Sequence, residues 1–397
     1  MAPPAQIPSL DIDPFDDAFL AAPYTFHGAL RDAGPVIWLK PINCFAMARY
    51  AEVSASLKDW QTFVSGRGVG MTDFATDTPW RPPSLLLETD PPVHDRTRGL
   101  MNKVASLSSL KTAMPQWFAK AEILVDRLLG QTVDGVRDLG EQFPLSVFPD
   151  LIGIREEGRE HLIPYGTTAF NGFGPRNRLF EEAIANAAAA SAAVMESCRR
   201  ENLAPNGWGM KVYEAADRGD CTPEEAERLV RSFLTAGLDT TVNGIGNMLH
   251  AFAQHPDQWA KLRADPSVAK KAFEESLRWD GTVQTFFRTT SRNVPLPDGH
   301  IPAGSKVILF LASANRDPRQ WERSEEFDIS RSSSGHVGFG FGIHQCLGQM
   351  VARMEAEALL KAMIPRVREI RLVGKPVRRL NNTLHALASL PLQLLAD

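Results

Sequence analysis

Apolar residues recur at helical spacing through a long stretch in the middle of the chain. They are Leu229, Phe233, Leu234, Leu238, Val242, Ile245, Leu249 and Phe252. Thr222, Pro223 and two following glutamates are typical of a helix N-terminus, since they combine a side-chain cap, a rigid first turn and acids near the helix dipole. The pattern therefore predicts one continuous helix over about 223–254, roughly 45 Å long.

Shorter patterns predict a mainly helical protein with a small β-rich part. Helices are predicted over 268–279, from Gly348 to about 364, and over the Ala-rich segment 183–194. Short apolar runs predict strands at 36–39, 44–48, 285–290 and 306–310. Proline clusters at 79–83, 90–92 and 295–302 punctuate the chain without dividing it, so we expect one domain over 1–397.

Composition excludes several classes of protein. The chain has 397 residues, 44% hydrophobic and 23% charged, which excludes a disordered chain, a collagen and a coiled coil as its main organisation. A net charge of −4 gives no general attraction to nucleic acid. No apolar run reaches the roughly 18–20 residues of a membrane span. The N-terminal MAPPAQIPSL lacks a basic region and an apolar core, so we expect a cytoplasmic protein.

The cysteines indicate neither a disulfide framework nor a zinc site. Cys44, Cys198, Cys221 and Cys346 are far apart and form no CxxC pair.

The centre of the long helix contains residues that helices disfavour. Gly237 destabilises a helix by about 1 kcal/mol relative to alanine, and Asp239, Thr240 and Thr241 are poor helix formers. Such a departure within a strong element is expected at a functional position. The alternative is that the glycine permits close helix packing and Asp239 faces water.

A glycine-rich segment around Cys346 carries a more specific pattern. Residues 338–348 read GFGFGIHQCLG, with Cys346 just before an apolar helix. Backbone amides at that helix N-terminus favour a thiolate, and Phe339 would shield the sulfur, which suits an iron ligand. A lone cysteine is more often an inert buried thiol, but the FxxGxHxCxG pattern favours the ligand.

Taken together, the motifs resemble those of the bacterial cytochromes P450, which are haem-thiolate monooxygenases. They include the Cys346 loop, AGLDTT at 236–241, ExxR at 275–278 and DPPVHDRTR at 90–98. Further matches are ANRDP at 314–318 and FDISR at 327–331, and the resemblance covers nearly the whole chain. It implies a helical triangular prism with a small β-rich region, and haem b between the long helix and the cysteine loop.

The resemblance also implies roles for individual residues. Cys346 would be the axial ligand of the haem iron, with Phe339 beside it and Ala236 and Gly237 leaving room above the iron. The haem propionates would be held by four side chains: His94, Arg98, Arg288 and His344. Asp239 and Thr240 would act in catalysis by delivering protons. Glu275 and Arg278 would form a structural ion pair, whose third partner is Arg331 or Arg323.

Several segments resemble a bacterial subgroup that oxidises para-substituted benzoic acids, especially by O-demethylation of 4-methoxybenzoate. They include 67–74, 79–92, 144–150, 169–175, 229–246 and 283–290. Ser84 and Ser232 match the subgroup's carboxylate contacts, and Arg81 and Arg231 would act directly or through water or an ion. The aromatic ring would be clamped by Leu87, Phe170, Phe173 and Phe286, together with Ala236. Gly172, between the two phenylalanines, is expected to loosen that wall.

Other functions remain open at this point. The substrate could be another aromatic acid or phenolic ether, such as a cinnamate or a guaiacol-type compound. A peroxide-driven haem enzyme and a haem-thiolate ligand sensor without turnover are more distant alternatives, both disfavoured by Asp239 and Thr240. Electrons would come from NADH through a flavoprotein reductase and a [2Fe–2S] ferredoxin, because the chain shows no fused redox domain.

Overall fold

Helices dominate the protein, whose computed structural model describes residues 7–297 and 299–396. Residues 1–6, part of the segment assessed above for a signal, lie outside this description. The α-helices are α1 (Asp17–Ala21), α2 (Tyr24–Ala33), α3 (Tyr50–Lys58), α4 (Val93–Val104), α5 (Leu107–Leu128), α6 (Gln142–Ile152), α7 (Leu162–Asn171), α8 (Arg178–Ala185), α9 (Ala187–Ser197), α10 (Trp208–Asp217), α11 (Pro223–Gly237), α12 (Asp239–Gln254), α13 (Pro256–Ala264), α14 (Ala269–Trp279), α15 (Leu311–Ala314) and α16 (Gln349–Met363).

Within the part of the chain that the structure describes, the strands form one larger sheet and three small ones. They are β1 (Ser9–Leu10), β2 (Ile37–Leu39), β3 (Cys44–Met47), β4 (Phe63–Val64), β5 (Thr132–Asp134), β6 (Thr285–Thr290), β7 (Val294–Leu296), β8 (Gly299–Ile301), β9 (Lys306–Phe310), β10 (Val367–Leu372), β11 (Val377–Arg379), β12 (Ala386–Ser389) and β13 (Pro391–Ala396). The six-stranded sheet has the order β1-β2-β3-β9-β6-β4. The predicted mainly helical class with a small β part is confirmed. No helix within 7–297 or 299–396 meets the length and hydropathy of a membrane span.

The predicted helix over 223–254 begins where expected but is not continuous. A capping box fixes its start, since Thr222 Oγ1 accepts from Glu225 N at 3.2 Å and Glu225 Oε2 accepts from Thr222 N at 3.0 Å. The prediction of one helix is wrong, because α11 ends at Gly237 and α12 begins at Asp239. Thr240 and Thr241 donate their hydroxyls to the carbonyls of Ala236 and Gly237, at 2.7 and 3.1 Å. Such bonds bend a helix that glycine has already weakened.

The Ala-rich helix is interrupted as well. The sequence predicts one helix over 183–194, whereas α8 and α9 meet at Asn186. Asn186 Nδ2 donates to Glu182 O at 2.9 Å, and this local bond competes with continued helix geometry.

A buried ion pair joins α14 to the chain that leads into the Cys346 loop. Arg278 donates to both carboxylate oxygens of Glu275 at 2.8 Å, and both side chains are fully buried. Arg278 also donates to the carbonyls of Asn315, Ser324 and Glu326. Arg331 Nε reaches Glu275 Oε1 at 3.2 Å and is the third partner. Arg323 instead pairs with Glu326 and Asp328.

Candidate active site

One central cavity of about 260 Å³ brings most of the predicted site residues together. We call it the central cavity; its walls come from α4, α7, α11, α12, β6, the loop before α4 and the Cys346 loop. The predicted residues that line it are Arg81, Ser84, Leu87, Arg98, Phe170, Phe173, Arg231, Ser232, Ala236, Gly237, Thr240, Phe286, Arg288, Phe339, His344 and Cys346. His94 and Asp239 are not on its wall, and Glu275 and Arg278 lie in the core.

The Cys346 loop is shaped by glycines that the backbone requires. Gly340 and Gly342 have φ of +66° and +72°, and a Cβ on Gly342 would lie 2.5 Å from Leu57 O. Cys346 N donates to Phe339 O at 2.8 Å, which closes the loop just before α16. Burial raises the pKa of the Cys346 thiol, against the opposing effect of the Gly348 amide and of Arg98. The sulfur lines the central cavity at a position where a metal ion would hold it as a thiolate.

Four basic side chains converge beside this loop with unused donors. The rings of His94 and His344 meet edge to face, with centroids 4.5 Å apart. His94 Nε2 and both ring nitrogens of His344 are buried and have no hydrogen-bond partner among residues 7–297 and 299–396. Arg288 is 4% exposed and donates to Phe287 O at 2.8 Å. Burial lowers the pKa of Arg288 to about 10 and also lowers that of Arg98.

These unpaired basic groups indicate whether haem would fit the site. Arg98 and Arg288 form no ion pair within the described chain. The nearby Asp90 carboxylate lies 3.9 Å from Nε2 of His344 and pairs with neither arginine. Buried cations without counter-ions are unfavourable unless a ligand supplies the negative charge. The two carboxylates of a haem supply it, and a sulfur ligand lies on the same cavity wall. The residues present therefore fit haem.

The catalytic pair expected on the long helix is divided between two environments. Thr240 faces the central cavity. Asp239 is fully buried behind it, and its carboxylate accepts from Arg379 Nη2, Asn243 Nδ2 and Thr167 Oγ1, each at 2.9 Å. Asp239 therefore does not line the cavity beside Thr240 but is held by these three donors.

An aromatic wall closes one side of the central cavity. Phe170 and Phe173 meet edge to face at 5.7 Å, and Phe173 meets Phe286 at 5.6 Å. All three line the cavity with Leu87. A flat apolar molecule would lie against this wall with favourable aromatic contacts.

Polar donors interrupt the apolar lining near α11. The guanidinium of Arg231 has no hydrogen-bond or ion-pair partner in the described chain. Ser232 Oγ donates to Arg228 O at 3.0 Å, so its proton is already engaged. Ser84 Oγ accepts from Leu87 N at 3.1 Å and keeps its proton for a ligand. Together Arg231 and Ser84 offer a positive charge and one free hydroxyl donor to an anion.

Arg81 is not free to bind a substrate carboxylate directly, which corrects that part of the prediction. Its guanidinium donates to both carboxylate oxygens of Glu88, at 2.9 and 3.3 Å. Glu88 is 5% exposed and also accepts from Ser84 N at 2.7 Å. The buried carboxylate neutralises Arg81, which therefore orders the loop more than it attracts an anion.

Two further features were missed or misread in the sequence. Gly172 does not loosen the aromatic wall. A Cβ there would lie 2.5 Å from Trp80 Cε2, so only glycine lets the indole ring pack this closely. Arg379 and Thr167, which hold Asp239, lie far from it in the chain and carry no local motif.

Comparisons with known proteins agree with this geometry. A family model described as Cytochrome P450 matches residues 209–392. The chain is 52% identical to cytochrome P450 CYP199A2 of Rhodopseudomonas palustris, over 98% of this chain and 95% of that protein. It is 31% identical to cytochrome P450 107B1 of Saccharopolyspora erythraea, over 92% and 93%.

Solved structures have the same fold. Cytochrome P450 CYP109Q5 from Chondromyces apiculatus has a TM-score of 0.81 at 30% identity, covering 99% of this chain and 100% of that one. Cytochrome P450 CREJ, in complex with (4-ethylphenyl) dihydrogen phosphate, has a TM-score of 0.87 at 26% identity, covering 96% and 98%. This chain belongs to the cytochrome P450 family of haem-dependent monooxygenases.

Proposed function

We propose that this monooxygenase oxidises the para substituent of benzoic acids, with O-demethylation of 4-methoxybenzoate as the representative reaction. The substrate, dioxygen, two electrons and two protons would give 4-hydroxybenzoate, formaldehyde and water. Hydroxylation of 4-alkylbenzoates would use the same position. The observation that carries the proposal is the unpaired guanidinium of Arg231, beside Ser232 on the wall of an otherwise apolar cavity.

The anion site and the aromatic wall would together orient such a substrate. A buried carboxylate needs charged or hydrogen-bonding partners, which Arg231, Ser84 and Ser232 offer. Ser232 would have to exchange its bond to Arg228 O for one to the substrate. Phe173 and Phe286 would hold the ring, so that a rigid acid anchored at one end exposes its para group. The solved relative with an anionic para-alkylphenyl ligand supports a substrate of this shape.

Haem held by a cysteine thiolate supplies dioxygen activation. Cys346 would hold the haem iron through its sulfur, and His94, Arg98, Arg288 and His344 would hold the propionates. Phe339 and the glycines of the loop would exclude water from the sulfur. Thr240 would pass protons into the cavity, and Asp239 would supply them once its bond to Arg379 Nη2 opens.

Electrons would reach the enzyme from NADH through a flavoprotein and an acidic [2Fe–2S] ferredoxin. The exposed Lys58 lies with Nζ 4.8 Å from the ring centroid of Phe341, within the Cys346 loop. Met350, 40% exposed, follows the same loop at the start of α16. A cation on the ring of Phe341 and an exposed apolar side chain after the loop would suit the rim and core of a transient protein interface.

A binding titration tests the substrate proposal. The ferric holoenzyme is titrated with 4-methoxybenzoate, its methyl ester and its meta isomer, while the high-spin absorbance shift is followed. Preferential binding of the free para acid, with formaldehyde and 4-hydroxybenzoate formed in equal amounts on turnover, is the expected result. Equal binding of the ester would contradict a carboxylate anchor.

A further inference from the structure

A lysine outside the predicted site holds the loop that backs the aromatic wall. Lys306 Nζ, at the start of β9, donates to the carbonyls of Arg67, Gly68 and Gly70 at 3.0, 2.8 and 3.0 Å. The fourth carbonyl in this run, Val69 O, accepts from Phe287 N of β6 at 2.8 Å. An ammonium group has three N–H donors, and each is used here for one carbonyl.

The held segment is in direct contact with the wall. Val69 is fully buried in a cluster with Phe170 and Phe173, against which Leu87 and Phe286 pack. A Cβ on Gly70 would lie 2.6 Å from Phe173 O, so the two backbones are as close as glycine permits. Met71 N donates to Phe173 O at 2.8 Å. A shift of residues 67–71 would therefore move the phenylalanine that faces the substrate.

The charges around Lys306 make this contact sensitive to pH. The titratable groups that face it are Asp73, Cys44, Arg67 and Glu88. Burial lowers the pKa of Lys306 to about 8, against the opposing attraction of Asp73. Above this pH the neutral amine keeps two donors for three carbonyls. A carbonyl left without its donor is unfavourable in a partly buried site, so the segment loses order.

We propose that Lys306 is a positioning residue for substrate binding, because its ammonium fixes residues 67–70 and through them the aromatic wall. It acts through Val69 and Phe173 rather than by touching the substrate. The inference rests on the proposed function for the choice of substrate probe, whereas the order of the loop is measured without one.

The first test is hydrogen exchange of the substrate-free holoenzyme at pH 7. In Lys306→Met we expect amides in 67–74 to exchange about 10-fold faster than in the natural protein, as loss of roughly one hydrogen bond predicts. Lys40→Met is the matched control, since Lys40 is an exposed lysine at the end of β2 in the same sheet. Unchanged exchange in 67–74 of Lys306→Met would overturn the proposal.

The second test is a pH series of 4-methoxybenzoate affinity from pH 7 to 9. In the natural protein and in Lys40→Met the affinity should weaken as the pH rises through about 8. In Lys306→Met it should already be about 10-fold weaker at pH 7 and change little with pH. A flat profile in the natural protein would contradict the proposal even if Lys306→Met failed to fold. Absence of binding at every pH would refute the benzoate assignment and leave the exchange result to decide on Lys306.

Discussion

At the scale of single residues, Arg231 carries most of the argument for an acidic substrate. Its cation lies on the cavity wall without a counter-ion in the described chain. The two neighbouring arginines are engaged elsewhere, Arg81 with Glu88 and Arg228 with the carbonyl of Pro83. A guanidinium that lies on the cavity wall with its donors unused is a group that a bound anion would contact.

Arg231→Met should weaken binding of 4-methoxybenzoate about 10- to 100-fold, which corresponds to a charge-assisted hydrogen bond of about 1.5–3 kcal/mol. Binding of the methyl ester should be unaffected, since it carries no charge. Spin-shift titrations of both ligands measure this. An equal loss for acid and ester would mean that the arginine acts only through packing.

Pairings between distant residues were beyond the reach of the sequence. The FxxGxHxCxG pattern was enough to propose a ligand at Cys346. Nothing in the sequence indicates that Glu88 neutralises Arg81 or that Arg379 holds Asp239, because both depend on side-chain directions set by tertiary packing. Arg331 was one of two candidates for the Glu275 pair, and only the fold distinguishes it from Arg323.

At the scale of elements, the periodic patterns predicted which segments are helices and strands better than where helices break. β6 and β9 occupy the predicted ranges 285–290 and 306–310, since their runs of β-branched and aromatic residues favour strands. The interruptions at Leu238 and Asn186 follow from hydrogen bonds between side chains and the backbone. These bonds compete with continuation of the helix, and the free-energy difference between the two conformations is small.

Gly172→Ala tests the contact between α7 and the loop that carries Trp80. The added methyl would overlap the indole ring, so the loop should shift. The free energy of unfolding should fall by roughly 1–3 kcal/mol, the usual range for overpacking, and the substrate should bind more weakly. Gly28→Ala in α2, with no atom within 4 Å of its added Cβ, is the matched control. The control should bind normally and be up to about 1 kcal/mol more stable. Normal affinity in Gly172→Ala would contradict the assigned contact.

At the scale of the whole molecule, ion pairs of Glu274 connect α14 to the segment before the Cys346 loop and to α16 after it. Glu274 accepts from Arg353 at 2.6 and 3.1 Å and lies 2.9 Å from His336 Nε2. Burial raises the pKa of Glu274, but the bonds to His336 and Arg353 outweigh it and bring the pKa to about 2.

The ion pairs of Glu274 should contribute a stability of the folded protein that depends on pH. Because the folded state lowers the pKa of Glu274 from its ordinary 4.5, the stabilisation is present above about pH 4.5 and is lost as the pH falls toward 2. Glu274→Gln should reduce the free energy of unfolding at pH 7 by up to about 3 kcal/mol, with a smaller difference in acid. Denaturant unfolding at several pH values measures this, with the exposed Glu157→Gln as control. A constant difference across pH would contradict the assignment.

The proposed reaction depends on Cys346 as the thiolate ligand of a haem in this cavity. The most direct measurement is the absorbance of the dithionite-reduced protein with carbon monoxide, for the natural chain and for Cys346→His. We expect the red-shifted Soret maximum of thiolate ligation in the natural protein and its absence in the variant. Haem-loaded natural protein without that maximum, or a variant that keeps it, would contradict thiolate ligation by Cys346.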